Sequence, residues 1–376
     1  MKVGYFIRSY VVRDKHGKPA FSGGIKIVSQ HVKLLNGVGY EALLITKYLP
    51  ADLNLAELNL YEFPVVVERD EDIPDCDLYV GVAPSDVQML FRLGKGGVIH
   101  LCEGYEPIDY LSRIKGEVTT ERYLRRGILS KFKRHMDILK FKKRLKKLEA
   151  IYGLPTVKAA ISKHLVGLIE SRFRQRCYLI QSGIDASVFY PREKKVWGEN
   201  GKVKVLAVGP SQVGFKGIPD VLHAIRILKD RKVPVEFIRA SPYPPSENEE
   251  VGRVTDRYYM NLKEKEMAEL YREVDIFVSP SLEGEGLGLP ALEALSSGVP
   301  SVLTEISSYK NFDETRDFAY FVPTHRPDKI AEGVLTFIED RTLREKHRQR
   351  GIEVARNFTL ERTKRDLSDF IKELTG

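Results

Sequence analysis

Cysteine is scarce in this chain: Cys76, Cys102 and Cys177 are the only three in 376 residues, far apart, with no Cys-x-x-Cys pair and no histidine cluster beside them. That spacing excludes a disulfide framework and a zinc site of the usual kind, and leaves buried thiols as the expected role. No apolar run approaches the roughly 18 residues a membrane-spanning helix needs. The N-terminal "MKVGYFIRSYVVRDK" lacks the long apolar stretch and small-residue cleavage site of a secretory signal, and reads as a first strand running into a charged loop. A cytoplasmic location is therefore expected. No strand is followed by a full Gly-x-Gly-x-x-Gly, which argues against a plain dinucleotide-binding enzyme. The Asp-x-Asp spacings of "DEDIPDCD" precede a strand instead of following one, so they read as a solvated acidic turn, and no metal site is expected.

What the chain does hold is enough apolar residue, 43%, for two domains with a core each. The formal charge of +8 is concentrated in one place. Residues 113–147 carry fourteen Lys and Arg against three Asp and Glu, which leaves the remainder slightly acidic.

Short β-branched runs alternate with amphipathic stretches: "KVGYFI", the helical 24–37, "EALLIT", "DLYVGV", "GVIHL". The pattern restarts with "KVKVLAVG", a helical 217–231, "VEFIRA", a helical 263–273 and "DIFVSPS". This alternation predicts βα units on parallel sheets, in an α/β fold of two Rossmann-like halves with a seam near 180–195. The expected divisions are 1–185, 186–355 and a final helix, 356–376, packing back on the first domain.

The densest signal is "SPSLEGEGLGLPALEALSSGVPSVLT" at 279–304, a strand, a glycine loop, a short helix and another strand. Pro290 at the first helical position costs nothing, because that N–H has no intrahelical partner. Gly286 and Gly288 let the backbone approach a ligand, and the free amides of Gly288 and Leu289 at a helix N-terminus favour an anion such as a diphosphate. Glu293, about one turn into the helix, presents an acceptor-only carboxylate suited to the two hydroxyls of a ribose. Glu285 stays in the loop, close to the same anion. Alone, such a loop is more often an ordinary βα turn. A second glycine loop, "LAVGPSQVGFKG", ends in Lys216 just before the next helix, and two such loops on parallel strands fall at the carboxyl ends of one sheet, where ligands bind.

"EGLGLPALE", with "VGPSQVGFKG" upstream and "FTLERT" near the end, resembles the retaining nucleotide-sugar glycosyltransferases of family four, which have the GT-B fold. The resemblance is strong over about 180–376 and weaker before that, where "FSGGIKIVSQHVKLLNGVGYEALLIT" is similar to the family's glycine turn and first helix, and "GVIHLCEG" to the strand ending in its sugar-contacting histidine. It implies transfer of a sugar from a nucleotide-diphosphate donor to a hydroxyl acceptor, glycan or lipid-linked, with retention and with no metal or other cofactor. Carried over, Gly23 and Gly24 would approach the donor phosphates and His100 the donor sugar near the transfer point. Lys216 would neutralise the diphosphate, Glu285 would bind sugar hydroxyls beside the reacting carbon, and Glu293 would hold the ribose. Gly209, Gly286, Leu287, Gly288 and Leu289 would complete the donor site.

One departure stands out. The family usually has an arginine directly after the loop glycine; here that position is Pro210. A lost bidentate phosphate donor weakens leaving-group stabilisation by about 2–4 kcal/mol, and Arg239 after "VEFI" is the candidate replacement. Glu103 and Glu106 are candidate acceptor contacts. Two other classes stay open: a nucleotide-sugar 2-epimerase or sugar phosphorylase on the same fold, and a non-catalytic sugar-nucleotide or anionic-surface binder. Between 128 and 152, Ile128, Leu129, Phe132, Met136, Leu139, Leu145 and Leu148 fall at helical spacing among lysines and arginines, predicting one or two basic amphipathic helices. These are either surface helices packed on the domain or a peripheral contact with anionic membrane. Nucleic acid is disfavoured, since few aromatics are interleaved for stacking.

Overall fold

The computed structural model describes residues 1–9, 12–13, 19–20, 23–49, 64–115, 128–192 and 197–375. In chain order the first half holds β1 (Lys2–Ser9), a short pair β2 (Val12–Arg13) and β3 (Pro19–Ala20), α1 (Gly23–Asn36), β4 (Glu41–Tyr48), β5 (Val65–Val66), β6 (Leu78–Gly81), α2 (Pro84–Leu93), β7 (Gly97–Cys102), α3 (Pro107–Lys115), α4 (Ile128–Tyr152), β8 (Val157–Ala160), α5 (Lys163–Phe173) and β9 (Cys177–Leu179). The second half holds β10 (Val203–Val208), α6 (Ile218–Asp230), β11 (Val235–Ser241), β12 (Arg257–Met260), α7 (Glu264–Glu273), β13 (Ile276–Ser279), α8 (Leu289–Ser296), β14 (Ser301–Thr304), α9 (Ser307–Lys310), β15 (Tyr320–Val322), α10 (Pro327–Glu339), α11 (Arg341–Ala355) and α12 (Leu360–Thr375).

Two parallel sheets result, in the spatial orders β5-β4-β1-β6-β7-β8-β9 and β12-β11-β10-β13-β14-β15. In each, the chain works outward from the first strand to one edge and then returns to build the other side. The direction reverses between β1 and β6 and again between β10 and β13, and the crevice at such a reversal is where open α/β sheets bind ligands. The central strands are largely buried because helices cover both faces of the sheets, and β10 is buried along almost its whole length.

Helix α1 shows why these segments are helical. Ile25, Val28, Val32 and Leu35 recur at intervals of three and four, and all four are buried against the first sheet. Helix α12 repeats the pattern with Thr363, Leu367, Phe370 and Ile371, and crosses to the first sheet. There Thr363 Oγ1 donates to the Gln181 carbonyl at 2.8 Å, and the Phe370 ring lies 5.0 Å from that of Tyr178.

Helix α4 departs from the expected single apolar face. Ile138, Phe141, Leu145 and Leu148 form a half-buried stripe, with Phe141 against Tyr110 of α3 at 6.1 Å. Met136 and Leu139 belong to a different stripe and are 40% and 47% exposed. Of the seven apolar residues, the four whose side chains are described fall on two faces, Leu145 and Leu148 on a half-buried one and Met136 and Leu139 on a bare one. The side chains of Ile128, Leu129 and Phe132 lie outside the described residues.

Candidate functional site

The two loops at the β10/β13 reversal meet. Leu282 N donates to the Phe215 carbonyl at 2.7 Å, which draws the turn ending in Lys216 against the glycine loop. Lys216 Nζ then lies 2.7 Å from Glu285 Oε2, and Ser281 Oγ donates to the same oxygen at 2.9 Å. Both side chains are largely buried, so each charge compensates the other in a place where neither is well solvated. From sequence, Lys216 and Glu285 were assigned separate ligand groups; the structure makes them one ion pair.

Helix α8 begins at Leu289, one residue before the expected start, because Gly288 at φ +87° supplies the left-handed turn that opens it. Glu293 on this helix is 7% exposed. Tyr271 OH donates to its Oε2 at 3.1 Å, and Lys26 Nζ from α1 of the other domain reaches its Oε1 at 3.3 Å. Lys26 also lies 2.9 Å from Glu264 Oε1 at the start of α7. Neither Lys26 nor Tyr271 was singled out from sequence: a lysine in an amphipathic helix and a tyrosine in a distant one carry no local signal of a shared carboxylate.

The loop after β7 closes the cleft from the first domain. A Cβ at Gly286 would lie 1.8 Å from the Glu103 carbonyl oxygen, so only glycine lets the second domain approach so closely. Glu103 Oε2 occupies the space where a side chain at Gly24 would stand. Glu103 is thus wedged between the α1 N-terminus, which Gly23 opens, and the Gly286 loop. Its Oε1 is buried without a hydrogen-bond partner, and burial, assisted by Glu106, pushes the carboxyl up to about 8. A neutral carboxyl here does not repel an approaching anion. The Glu106 carboxylate accepts from Tyr152 OH, and burial raises its pKa as well.

Two of the expected residues, His100 and Arg239, are placed away from the open cleft. His100 has no exposed surface. Its ring packs 4.5 Å from that of Tyr152, neither ring nitrogen has a partner, and burial pushes its pKa down to about 3. It is a neutral core residue, paired in register between Gly81 and Lys158, and the strand reaches the cleft only three residues later, at Glu103. Arg239 is likewise fully buried. Its Nε donates to Glu249 Oε2 at 3.0 Å, and its two terminal nitrogens donate to the carbonyls of Ala207 and Gly209. With three of its five N–H groups bonded and no exposed surface, Arg239 braces the loop at Gly209 from within the core.

His164, at the start of α5, was missed. It lines a cavity of about 210 Å³ between the domains, together with Glu285 and Tyr105. Burial pushes its pKa down to about 4, with Glu285 pulling the other way. Ser162 beside it donates across the domains to the Gly286 carbonyl at 2.8 Å. Among the described residues, no group of three or more His, Cys, Asp or Glu side chains converges on a metal position, and no helix is long and apolar enough to cross a membrane.

Two doubly wound domains facing across a ligand cleft at their strand reversals define the GT-B class. Sucrose-phosphate synthase from Thermosynechococcus elongatus superposes with a TM-score of 0.72 at 14% identity, covering 100% of this chain and 99% of that one. Anabaena HepE, solved in complex with UDP-glucose, gives 0.73 at 12% identity over 99% and 100%. At such identities the likeness concerns the fold alone. In sequence, residues 202–340 match the family described as Glycosyl transferases group 1. The chain is 31% identical over 134 residues to MMP alpha-(1->4)-mannosyltransferase of Mycolicibacterium hassiacum, covering 34% of this chain and 31% of that protein. It is 26% identical over 220 residues to D-inositol 3-phosphate glycosyltransferase of Corynebacterium efficiens, covering 53% and 51%. The matches thus span about half or less of these curated relatives. The chain is a GT-B-fold protein whose second domain is related to the group 1 glycosyltransferases.

Proposed function

We propose that this protein is a glycosyltransferase that moves a sugar from a nucleotide-diphosphate donor to a hydroxyl acceptor, without metal and with retention of anomeric configuration, in glycan or glycolipid synthesis. The observation that carries this reading is the Lys216–Glu285 pair at the β10/β13 reversal, on the same glycine loop that leads to Glu293. A donor diphosphate would take over Lys216 and the amides of Gly288 and Leu289, freeing Glu285 for sugar hydroxyls. Its ribose would replace Lys26 on Glu293. The diphosphate and the ribose would each displace one existing ion pair, Lys216–Glu285 and Lys26–Glu293, and the displaced Lys26 would keep Glu264 as a partner. Relatives whose names specify inositol phosphate and phosphatidyl-inositol acceptors favour a polyhydroxylated acceptor here as well.

The test is calorimetric titration with UDP, GDP, ADP, dTDP and their sugar conjugates. One nucleotide should bind saturably, and Lys216→Ala should weaken it about 10- to 100-fold, the range for a lost charge-assisted hydrogen bond. Glu293→Ala should weaken the nucleoside as well, since the ribose contact precedes the phosphates. Binding by none of them would sink the donor reading. The anomeric configuration of the product, read by NMR, decides retention.

A peripheral position on an anionic membrane belongs to the same reading. The exposed Met136 and Leu139 lie among Arg134, Lys140, Lys142 and Lys143 on α4, apolar groups framed by cations.

A further inference from the structure

The cavity of about 210 Å³ between the domains has walls of two kinds. Tyr105, Leu165 and Leu168 of the first domain form an apolar side, while Glu285 and Asn311 of the second form a polar one. An apolar wall facing a polar one suits a ring with a C–H face and a rim of hydroxyls, the chemistry of a sugar.

His164 lines this space, and the proton count of its neighbour fixes what it presents there. A serine hydroxyl has one proton. Ser162 Oγ lies 2.8 Å from the Gly286 carbonyl oxygen, which can only accept, so the proton points there. The same Oγ lies 3.1 Å from His164 Nδ1 and, with its proton committed, can only accept from that nitrogen. Nδ1 therefore carries the imidazole proton. Burial keeps the ring neutral at physiological pH, which leaves Nε2 with a bare lone pair.

We propose that the cavity receives a hydroxyl-bearing sugar ring whose hydroxyl donates to His164 Nε2, and that the interdomain bond from Ser162 to Gly286 selects the tautomer that makes this possible. His164 is then a substrate-binding residue and Ser162 a positioning residue. Parting of the domains withdraws the Gly286 carbonyl and frees the Ser162 proton for Nδ1. Nε2 then becomes a donor, so the polarity of the contact follows closure of the cleft. The identity of the ring rests on the glycosyltransferase reading; the tautomer does not.

The test has two arms on the full chain. In the first, two-bond couplings in ¹⁵N-histidine NMR report the His164 tautomer. Wild type should show Nδ1–H, and Ser162→Ala, which removes the acceptor for that proton, should shift the population towards Nε2–H. Nε2–H in wild type, or the same Nδ1–H population in both, overturns the proposal. In the second, His164→Phe should raise the KM of a hydroxyl acceptor about tenfold with nucleotide affinity unchanged, and His164→Gln, whose amide oxygen can accept, should recover part of the loss. A rise in the donor-sugar KM instead supports the hydroxyl contact and assigns the ring to the donor. No change in either KM overturns it. Should wild type turn over no nucleotide sugar, the glycosyltransferase reading fails by itself, and the NMR arm still decides the tautomer.

Discussion

A histidine at the end of a strand reads the same in sequence whether it faces a cleft or a core, and His100 shows what separates the two. Its ring is sealed against Tyr152 and stays neutral. His100→Leu should therefore leave kcat/KM within about twofold and cost little stability, since an apolar group of similar size replaces an unpartnered polar one. A hundredfold loss of activity with an unchanged melting temperature would return His100 to the site. Arg239→Ala should behave in the opposite way. It strands Glu249 and two buried carbonyls, so unfolding by urea should show a loss of about 3–5 kcal/mol whether or not nucleotide is present.

At the level of elements, α4 carries two apolar stripes with different duties. Phe141→Ala removes a ring packed on α3 and should destabilise by about 1–2 kcal/mol, less than a fully buried Phe because the stripe is half exposed. Met136→Ser with Leu139→Ser should change stability by no more than about 0.5 kcal/mol, yet lower co-sedimentation with anionic vesicles at low salt. Equal sedimentation of variant and wild type would assign the contact to charge alone; no sedimentation of either would remove the membrane from the proposed function. Helix α8 makes the complementary point. Its glycine opening and proline were legible because they are backbone requirements, and backbone requirements are local.

The whole molecule is held closed by contacts that no single domain contains. Lys26 bridges Glu293 and Glu264 across the cleft, Ser162 meets Gly286, and Glu103 lies between two glycines of different domains. Lys26→Met should enlarge the radius of gyration of the nucleotide-free protein in small-angle scattering; an unchanged radius would show that closure does not depend on this bridge. Acid stability is also a property of the whole. His31 and His100 fall from 6.5 to about 3 and His164 to about 4. Below pH 6.5 the unfolded chain binds protons that the folded chain refuses, so stability falls with pH, by up to about 1.4 kcal/mol per unit for each histidine. Glu103, raised from 4.5 to about 8, runs the other way, its contribution being lost as pH rises through that range. The stability maximum should lie near pH 6.5, with the steeper decline on the acid side, as chemical denaturation at a series of pH values would read.

The periodicities, glycines and prolines of this chain were enough to determine two parallel α/β domains, because each βα unit must bury its own apolar stripe and turn on its own residues. They were also enough to place Lys216, Glu285 and Glu293 at the carboxyl ends of one sheet, a consequence of strand direction. Which charges meet was decided only by the tertiary structure. The Lys216–Glu285 pair joins residues 69 apart and the Lys26–Glu293 bridge joins residues 267 apart. The burial that silenced His100, sealed Arg239 and left Glu103 holding a proton depends on what the neighbouring elements cover, and that information is carried by no short stretch of chain.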